Sequence, residues 1–222
     1  ININARTQDD TTWIVAYSAA ESPQVYYRYD RPSGKLDKLF SARPQLEGAP
    51  LVPQWPVEIT SRDNLTLVSY LTLPRHADPD RDGKADARVP LVLLVHGGPW
   101  ARDSYGYGGY NQWLANRGYA VLSVNFRGST GFGKEFTNAG NGEWAGKMHE
   151  DLIDAVQWAV GQGVTTADKV AIMGGSYGGY ATLAGLTFTP DTFACGVDIV
   201  GPSNLNTLLG TVPPYWASFY KQ

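Results

Sequence analysis

A serine hydroxyl attacks an acyl carbon when the backbone presents it clear of its neighbours, and one segment of this chain is built for that. Gly174-Gly-Ser-Tyr-Gly178 holds the pattern Gly-x-Ser-x-Gly with Ser176 at its centre. Three fixed positions of that rarity recur by chance in about one chain in ten of this length, so the flanks decide what it means. The apolar run Lys169-Val-Ala-Ile-Met173 leads in, and a helix-compatible run from Tyr180 to Phe188 leads out. Strand, Gly-x-Ser-x-Gly and helix in succession describe a nucleophile elbow, a sharp turn that lifts the serine into the open. Glycines flank it because two backbones pack where a Cβ would collide. The expectation is a serine hydrolase working through an acyl-enzyme on Ser176.

Acyl transfer passes through a tetrahedral intermediate whose negative oxygen needs preorganised donors. In an elbow they are the N–H of the residue after the nucleophile, here Tyr177, and an N–H from the loop after an earlier strand. His96-Gly-Gly-Pro99 follows the apolar run Val89–Val95 and supplies that loop, with Gly98 the first choice of donor and Gly97 the fallback. His96 itself reads as an anchor for the loop rather than as a base.

The base is what the sequence lacks. Triads on such elbows run in the order serine, acid, histidine. Here His76, His96 and His149 all precede Ser176, and only Asp191 and Asp198 are acidic after it. His149 reads as a surface or capping residue, and Asp198 as too early for the usual acid. The expectation is a chain that begins and ends inside a longer protein and is inactive by itself.

The elements that would hold these residues follow from the pattern. Residues 57–222 open with a hairpin (57–60 and 65–73, turning at Asp63-Asn64) and then alternate. Strands are expected at 89–95, 119–125, 169–174 and 194–200, with helices at 109–117, 147–161 and 177–188. That alternation implies an α/β fold of the α/β-hydrolase kind, a mostly parallel sheet with helices on both faces. Met148, Leu152, Ile153, Val156, Ala159 and Val160 give helix 147–161 its apolar stripe. Residues 1–56 read instead as three short strands (12–17, 24–29, 35–40) and a proline-punctuated connector, and residues 201–222 show no strong period.

Composition narrows the function. The chain has 222 residues, 43% hydrophobic, with a net charge of −3 and both signs interspersed, so nothing invites nucleic acid or an anionic membrane. A single cysteine, Cys195, excludes an internal disulfide and reads as buried filler. Asp78-Pro-Asp-Arg-Asp-Gly83 starts like a calcium loop, but its twelfth position is Val89 where a bidentate glutamate is needed. It reads as a surface turn, with no metal. Gly128-Ser-Thr-Gly-Phe-Gly133 has the wrong glycine spacing for a dinucleotide. It reads as a loop shaping the substrate cleft, so no cofactor is expected.

Leu94-Val-His-Gly-Gly-Pro-Trp100, Asn125-Phe-Arg-Gly-Ser-Thr-Gly-Phe-Gly133 and Gly174-Gly-Ser-Tyr-Gly-Gly-Tyr180 together resemble the prolyl oligopeptidase family of serine peptidases, most closely its acylaminoacyl-peptidase and dipeptidyl-peptidase-like branches. The resemblance covers nearly the whole chain. It implies that residues 1–56 are the final blade of a β-propeller with its connector, and that residues 57–222 are the first portion of the hydrolase domain. It implies short peptides as substrates, Ser176 as nucleophile, and the Tyr177 and Gly98 N–H groups as the oxyanion hole. Trp216 and Tyr220, spaced Trp-x-x-x-Tyr, resemble aromatics of the family's specificity pocket, with core packing as the other reading. A carboxylesterase and a non-catalytic hydrolase-like binding module are the alternatives. Compartment and self-assembly are left open.

Overall fold

The computed structural model describes residues 1–215. They form two sheets. The first is an antiparallel meander of four strands in sequence order: β1 (Asn2–Arg6), β2 (Thr12–Ala19), β3 (Ser22–Asp30) and β4 (Lys35–Ser41). Strand β1 escaped the sequence pattern because all five of its residues are exposed. It has no apolar face to show, and its pairing with β2 defines it. Four antiparallel strands in this order have the form of a propeller blade.

The second sheet has six strands: β5 (Trp55–Thr60), β6 (Thr66–Thr72), β7 (Leu91–Val95), β8 (Ala120–Val124), β9 (Val170–Gly175) and β10 (Cys195–Ile199). Their spatial order is β10-β9-β7-β8-β6-β5. The first four run parallel, β6 runs antiparallel to β8, and β5 runs antiparallel to β6 and so in the direction of the first four. Around them lie α1 (Gly109–Asn116), α2 (Lys134–Asn138), α3 (Lys147–Gly161), α4 (Tyr177–Phe188) and α5 (Leu205–Thr211). No helix among the described residues is long and apolar enough to cross a membrane.

Alternation along β7 sorts the helices onto two faces. Leu91, Leu93 and Val95 share one core with Met148, Leu152, Ala155 and Val156 of α3 and Tyr177 and Ala181 of α4. Val92 turns the other way and packs with Val121, Met173 and Leu114 of α1. The run is therefore apolar throughout because both faces are covered. Gln112, buried on α1, joins the two sheets: it accepts from Val52 N (2.9 Å) and donates to the carbonyls of Val52 (2.8 Å) and Ala20 (3.1 Å).

Three expectations are corrected. Cys195 is exposed, because β10 is the outer strand of the described sheet and leaves positions 195, 197 and 198 open. His149 is buried, its Nε2 3.1 Å from Thr189 Oγ1 at the end of α4. The seemingly aperiodic tail contains α5, a short helix capped by the Asn204 side chain, which accepts from Thr207 N.

Buried charge locks the hairpin to the site's supports. Arg127, just beyond β8, is buried and donates from Nε (2.9 Å) and Nη2 (2.6 Å) to Asp151 of α3. Its remaining donors reach Asp63 in the β5–β6 turn at 2.7 and 2.8 Å. Those bonds hold the Asp63 carboxyl well below the usual range, while burial pushes Asp151 upward against the pull of Arg127. Removing one partner leaves an uncompensated buried charge, so Arg127→Ala is expected to lower the unfolding free energy by about 3–5 kcal/mol. Urea denaturation measures it, and a loss below about 1 kcal/mol, the range of exposed pairs, would contradict the assignment.

Candidate active site

Ser176 stands alone between the last residue of β9 and the first of α4, at φ 57° and ψ −116°. A side chain at positive φ is strained and persists only where its surroundings over-determine it. Here the determinants are backbone. Ser176 N donates to Ile199 O (2.9 Å), and Tyr180 N donates to Ser176 O (3.0 Å). A Cβ on Gly174 would lie 2.5 Å from the carbonyl of Gly178, and one on Gly178 would lie 2.1 Å from Val95 O. A Cβ on Gly179 would meet Gly201 Cα at 2.6 Å. The ends of β7, β9 and β10 thus close on the start of α4 without room for a methyl group. Ser176 itself is exposed.

The loop after β7 comes to the same place. A Cβ on Gly97 would be 3.1 Å from Gly175 O and 3.4 Å from Ser176 Cβ. Gly98 follows at φ 122°, exposed, and a Cβ there would strike Trp100 N at 2.6 Å. Tyr177 is the first residue of α4, where N–H groups lack intrahelical partners and the helix dipole favours negative charge. The Tyr177 ring is buried against Phe126 (5.3 Å) and Trp144 (4.7 Å), which anchors the helix start. Burial also raises its phenol pKa.

None of the three histidines hydrogen-bonds Ser176. His96 lies with Nδ1 2.8 Å from Gly97 O and Nε2 3.0 Å from Ser129 Oγ, the loop contact expected of it. Burial lowers its pKa. His149 is bonded to Thr189, and His76 sits beside Gly118. Asp198 Oδ1 accepts from Gly201 N (2.7 Å), closing the turn after β10. Trp216 and Tyr220 lie outside the described residues.

The segment Asn125–Gly133 is tied to the loop that follows the Gly97-Gly98 turn. Asn125 Nδ2 donates to Val68 O (2.9 Å) and Asp103 O (3.2 Å), and Asn125 Oδ1 accepts from Asp103 N (2.8 Å). Thr130 N donates to Ala101 O (2.8 Å), and the Arg102 guanidinium stacks over Phe132 at 4.4 Å. One consequence had no sequence signal: Asp103 Oδ2 is sealed without a partner, and burial pushes its pKa up to about 7, against the pull of Arg102. The turn 78–83 is exposed at residues 79–82, as a surface turn should be, but Asp78 itself is buried. Its oxygens accept from Asp82 N (2.9 Å), Gly83 N (3.3 Å) and Trp55 Nε1 (3.0 Å), so it holds its own turn.

Residues 107–219, half of the chain, match the model of the prolyl oligopeptidase family. The chain is 86% identical over 222 residues to dipeptidyl aminopeptidase BIII of Pseudoxanthomonas mexicana, covering all of this chain and 32% of that protein. It is 50% identical over 235 residues to dipeptidyl peptidase family member 6 of Caenorhabditis elegans, again covering 100% and 32%. A solved puromycin-hydrolysing peptidase of Mycobacterium tuberculosis superposes with a TM-score of 0.81 at 26% identity, over 95% of this chain and 32% of that one. The chain spans about a third of the length of the curated relatives it matches.

Two expectations follow from the packing. Gly178→Ala forces a methyl onto the Val95 carbonyl and is expected to cost at least about 2 kcal/mol. Gly161→Ala, with open space around it, gains about 0.5–1 kcal/mol. Equal effects in denaturant melts would overturn the packing account. Asp103 has a folded pKa raised above its unfolded value of 3.8. The folded state therefore binds the extra proton, and stability falls as pH rises from about 4 to 7. Asp103→Asn is expected to be more stable than the parent at pH 8, by on the order of 4 kcal/mol, and nearly equal to it at pH 4. A pH-independent difference would reject the titration.

Proposed function

The chain belongs to the prolyl oligopeptidase family, and from that premise we propose that it is part of a serine peptidase cleaving short peptides through an acyl-enzyme on Ser176. The observation that carries the reading is the exposed serine held at positive φ between β9 and α4, with Gly97 packed against it. Oγ attacks the scissile carbonyl carbon and gives its proton to a base. The carbonyl oxygen becomes an oxyanion and takes hydrogen bonds from Tyr177 N–H and Gly98 N–H. The base then protonates the leaving amine, and water repeats the sequence to release the acyl group.

The base and its orienting acid come from parts of the protein outside these 222 residues. None of the chain's histidines bonds the serine, and the curated relatives are about three times as long. Residues 1–56 serve as the closing propeller blade and connector, and residues 57–222 as the first portion of the hydrolase domain. Trp216 and Tyr220, outside the described residues, are assigned to the specificity pocket on the family's Trp-x-x-x-Tyr spacing alone. The 86% identity to a dipeptidyl aminopeptidase favours release of dipeptides from peptide N-termini.

Treating the full-length protein with a fluorophosphonate probe is expected to give one covalent adduct, on Ser176, by peptide mass mapping. Ser176→Ala should abolish it and lower kcat by at least about 10⁴-fold. The isolated 222 residues should label weakly or not at all. Turnover of an ester but no peptide would replace the peptidase with an esterase, and a folded full-length protein that takes no label would end both readings.

A further inference from the structure

We infer that Arg102 is a substrate-binding residue on the leaving-group side, where its guanidinium pairs with the C-terminal carboxylate of a short peptide. The inference rests on the acyl-transfer reading above and deepens it. It names the peptides preferred: those that end in a free carboxylate within a few residues of the cleaved bond.

Position comes from topology. Ser176 follows β9, Arg102 lies in the loop after β7, and Phe132 lies in the loop after β8. The three strands are parallel neighbours, so all three loops leave the same edge of the sheet. In open α/β sheets that edge is where ligands bind. The loop after β7 folds back tightly: Ala101 N donates to Pro99 O (2.8 Å), and a Cβ on Gly98 would lie 3.3 Å from Ala101 Cβ. One step of about 3.8 Å beyond Ala101 places Arg102 Cα within about 10 Å of the proposed Gly98 donor. An extended peptide advances about 3.3–3.6 Å per residue. A chain end two or three residues past the cleaved bond therefore falls within reach of the side chain.

The guanidinium is held in place and lacks a counter-ion. It stacks over Phe132 at 4.4 Å, and Phe132 sits on buried Phe136 at 5.3 Å. Gly131, at φ 89°, leaves the space that Arg102 Nη1 occupies and that a Cβ would fill. Nε donates to the Asp103 carbonyl (3.1 Å), and Asn125 bonds that same residue at its N–H and its carbonyl. With Nε occupied and one face stacked, the Nη groups are the open end of a planar fork whose shape matches a carboxylate. No carboxylate pairs with that fork among the described residues, and the adjacent Asp103 Oδ2 is sealed without a partner.

Charge decides which part of the substrate Arg102 takes. A peptide that gives up an N-terminal dipeptide carries an ammonium group on its acyl part, which a guanidinium repels. Its leaving part carries a carboxylate, which a guanidinium attracts. The leaving side is therefore the side that Arg102 serves.

The test compares peptides that differ only in their last group. In the full-length enzyme, kcat/KM for a tetrapeptide with a free C-terminal carboxylate is expected to exceed that for the same tetrapeptide amide by about 10-fold, the low end for a charge-assisted bond. In Arg102→Gln that ratio should fall to within about 2-fold of one. Each ratio is taken within one preparation, so a variant that folds only in part still reports it. Two further arms use wild type alone and decide the matter if the variant does not fold. An octapeptide pair, whose last residue lies beyond reach, should show no preference. Salt at about 1 M, where the screening length is about 3 Å, should shrink the tetrapeptide ratio. A wild-type ratio near one, a ratio that survives Arg102→Gln, or an equal preference in octapeptides would overturn the inference. In each of those outcomes wild type still cleaves peptides and takes the fluorophosphonate label. Failure of the acyl-transfer reading looks different, because then wild type takes no label at Ser176.

Discussion

Contact of backbone with backbone, unbuffered by side chains, is the constraint on which the site depends. Val95 O at the end of β7 presses on Gly178, and Gly174 presses on the carbonyl of the same residue. With α4 drawn that close to the strand ends, the single residue left between β9 and α4 has to reverse the chain, and Ser176 does so at φ 57°. The strain is small beside the packing that enforces it, since a residue in a sparsely populated region costs about 1–3 kcal/mol. Exposure of Ser176 follows from the same arrangement: the reversal points outward because every inward direction is already filled by main chain.

The rest of the fold keeps those strand ends in register. Apolar cores on both faces of β7 fix its height relative to β8 and β9. The Arg127 network ties the segment after β8 to α3 and to the β5–β6 turn, so its position is set by charge-assisted bonds rather than by loop length. Asn125 holds the neighbouring loop at Asp103 from both sides of its own amide. Gln112 does the corresponding work between the two sheets. Each of these polar residues is buried with its partners at hydrogen-bond distance, the condition under which polar groups specify a structure instead of weakening it.

What the sequence revealed and what it hid divide along a physical line. Helices α3 and α4 and strands β7 to β9 were legible because their apolar periods are set by faces that the chain itself covers. The elbow was legible because only glycine fits its contacts, so composition at fixed spacing reports geometry directly. Strand β1 and helix α5 were not, since neither buries a residue among those described. Cys195 and His149 were misjudged for one shared reason: exposure at those sites depends on an outer strand position and on Thr189, forty residues away. The sealed carboxyl of Asp103 is likewise made by a partner loop, and nothing in its neighbours announces it. Local pattern speaks for contacts within an element and is silent on those between elements.

The most direct test of the account is a crystal structure of the full-length protein phosphonylated at Ser176. The account predicts a phosphonyl oxygen about 2.7–3.1 Å from both Tyr177 N and Gly98 N, with Ser176 still at positive φ. A phosphonyl oxygen turned to solvent, or held by a side chain while both amides point elsewhere, would contradict it.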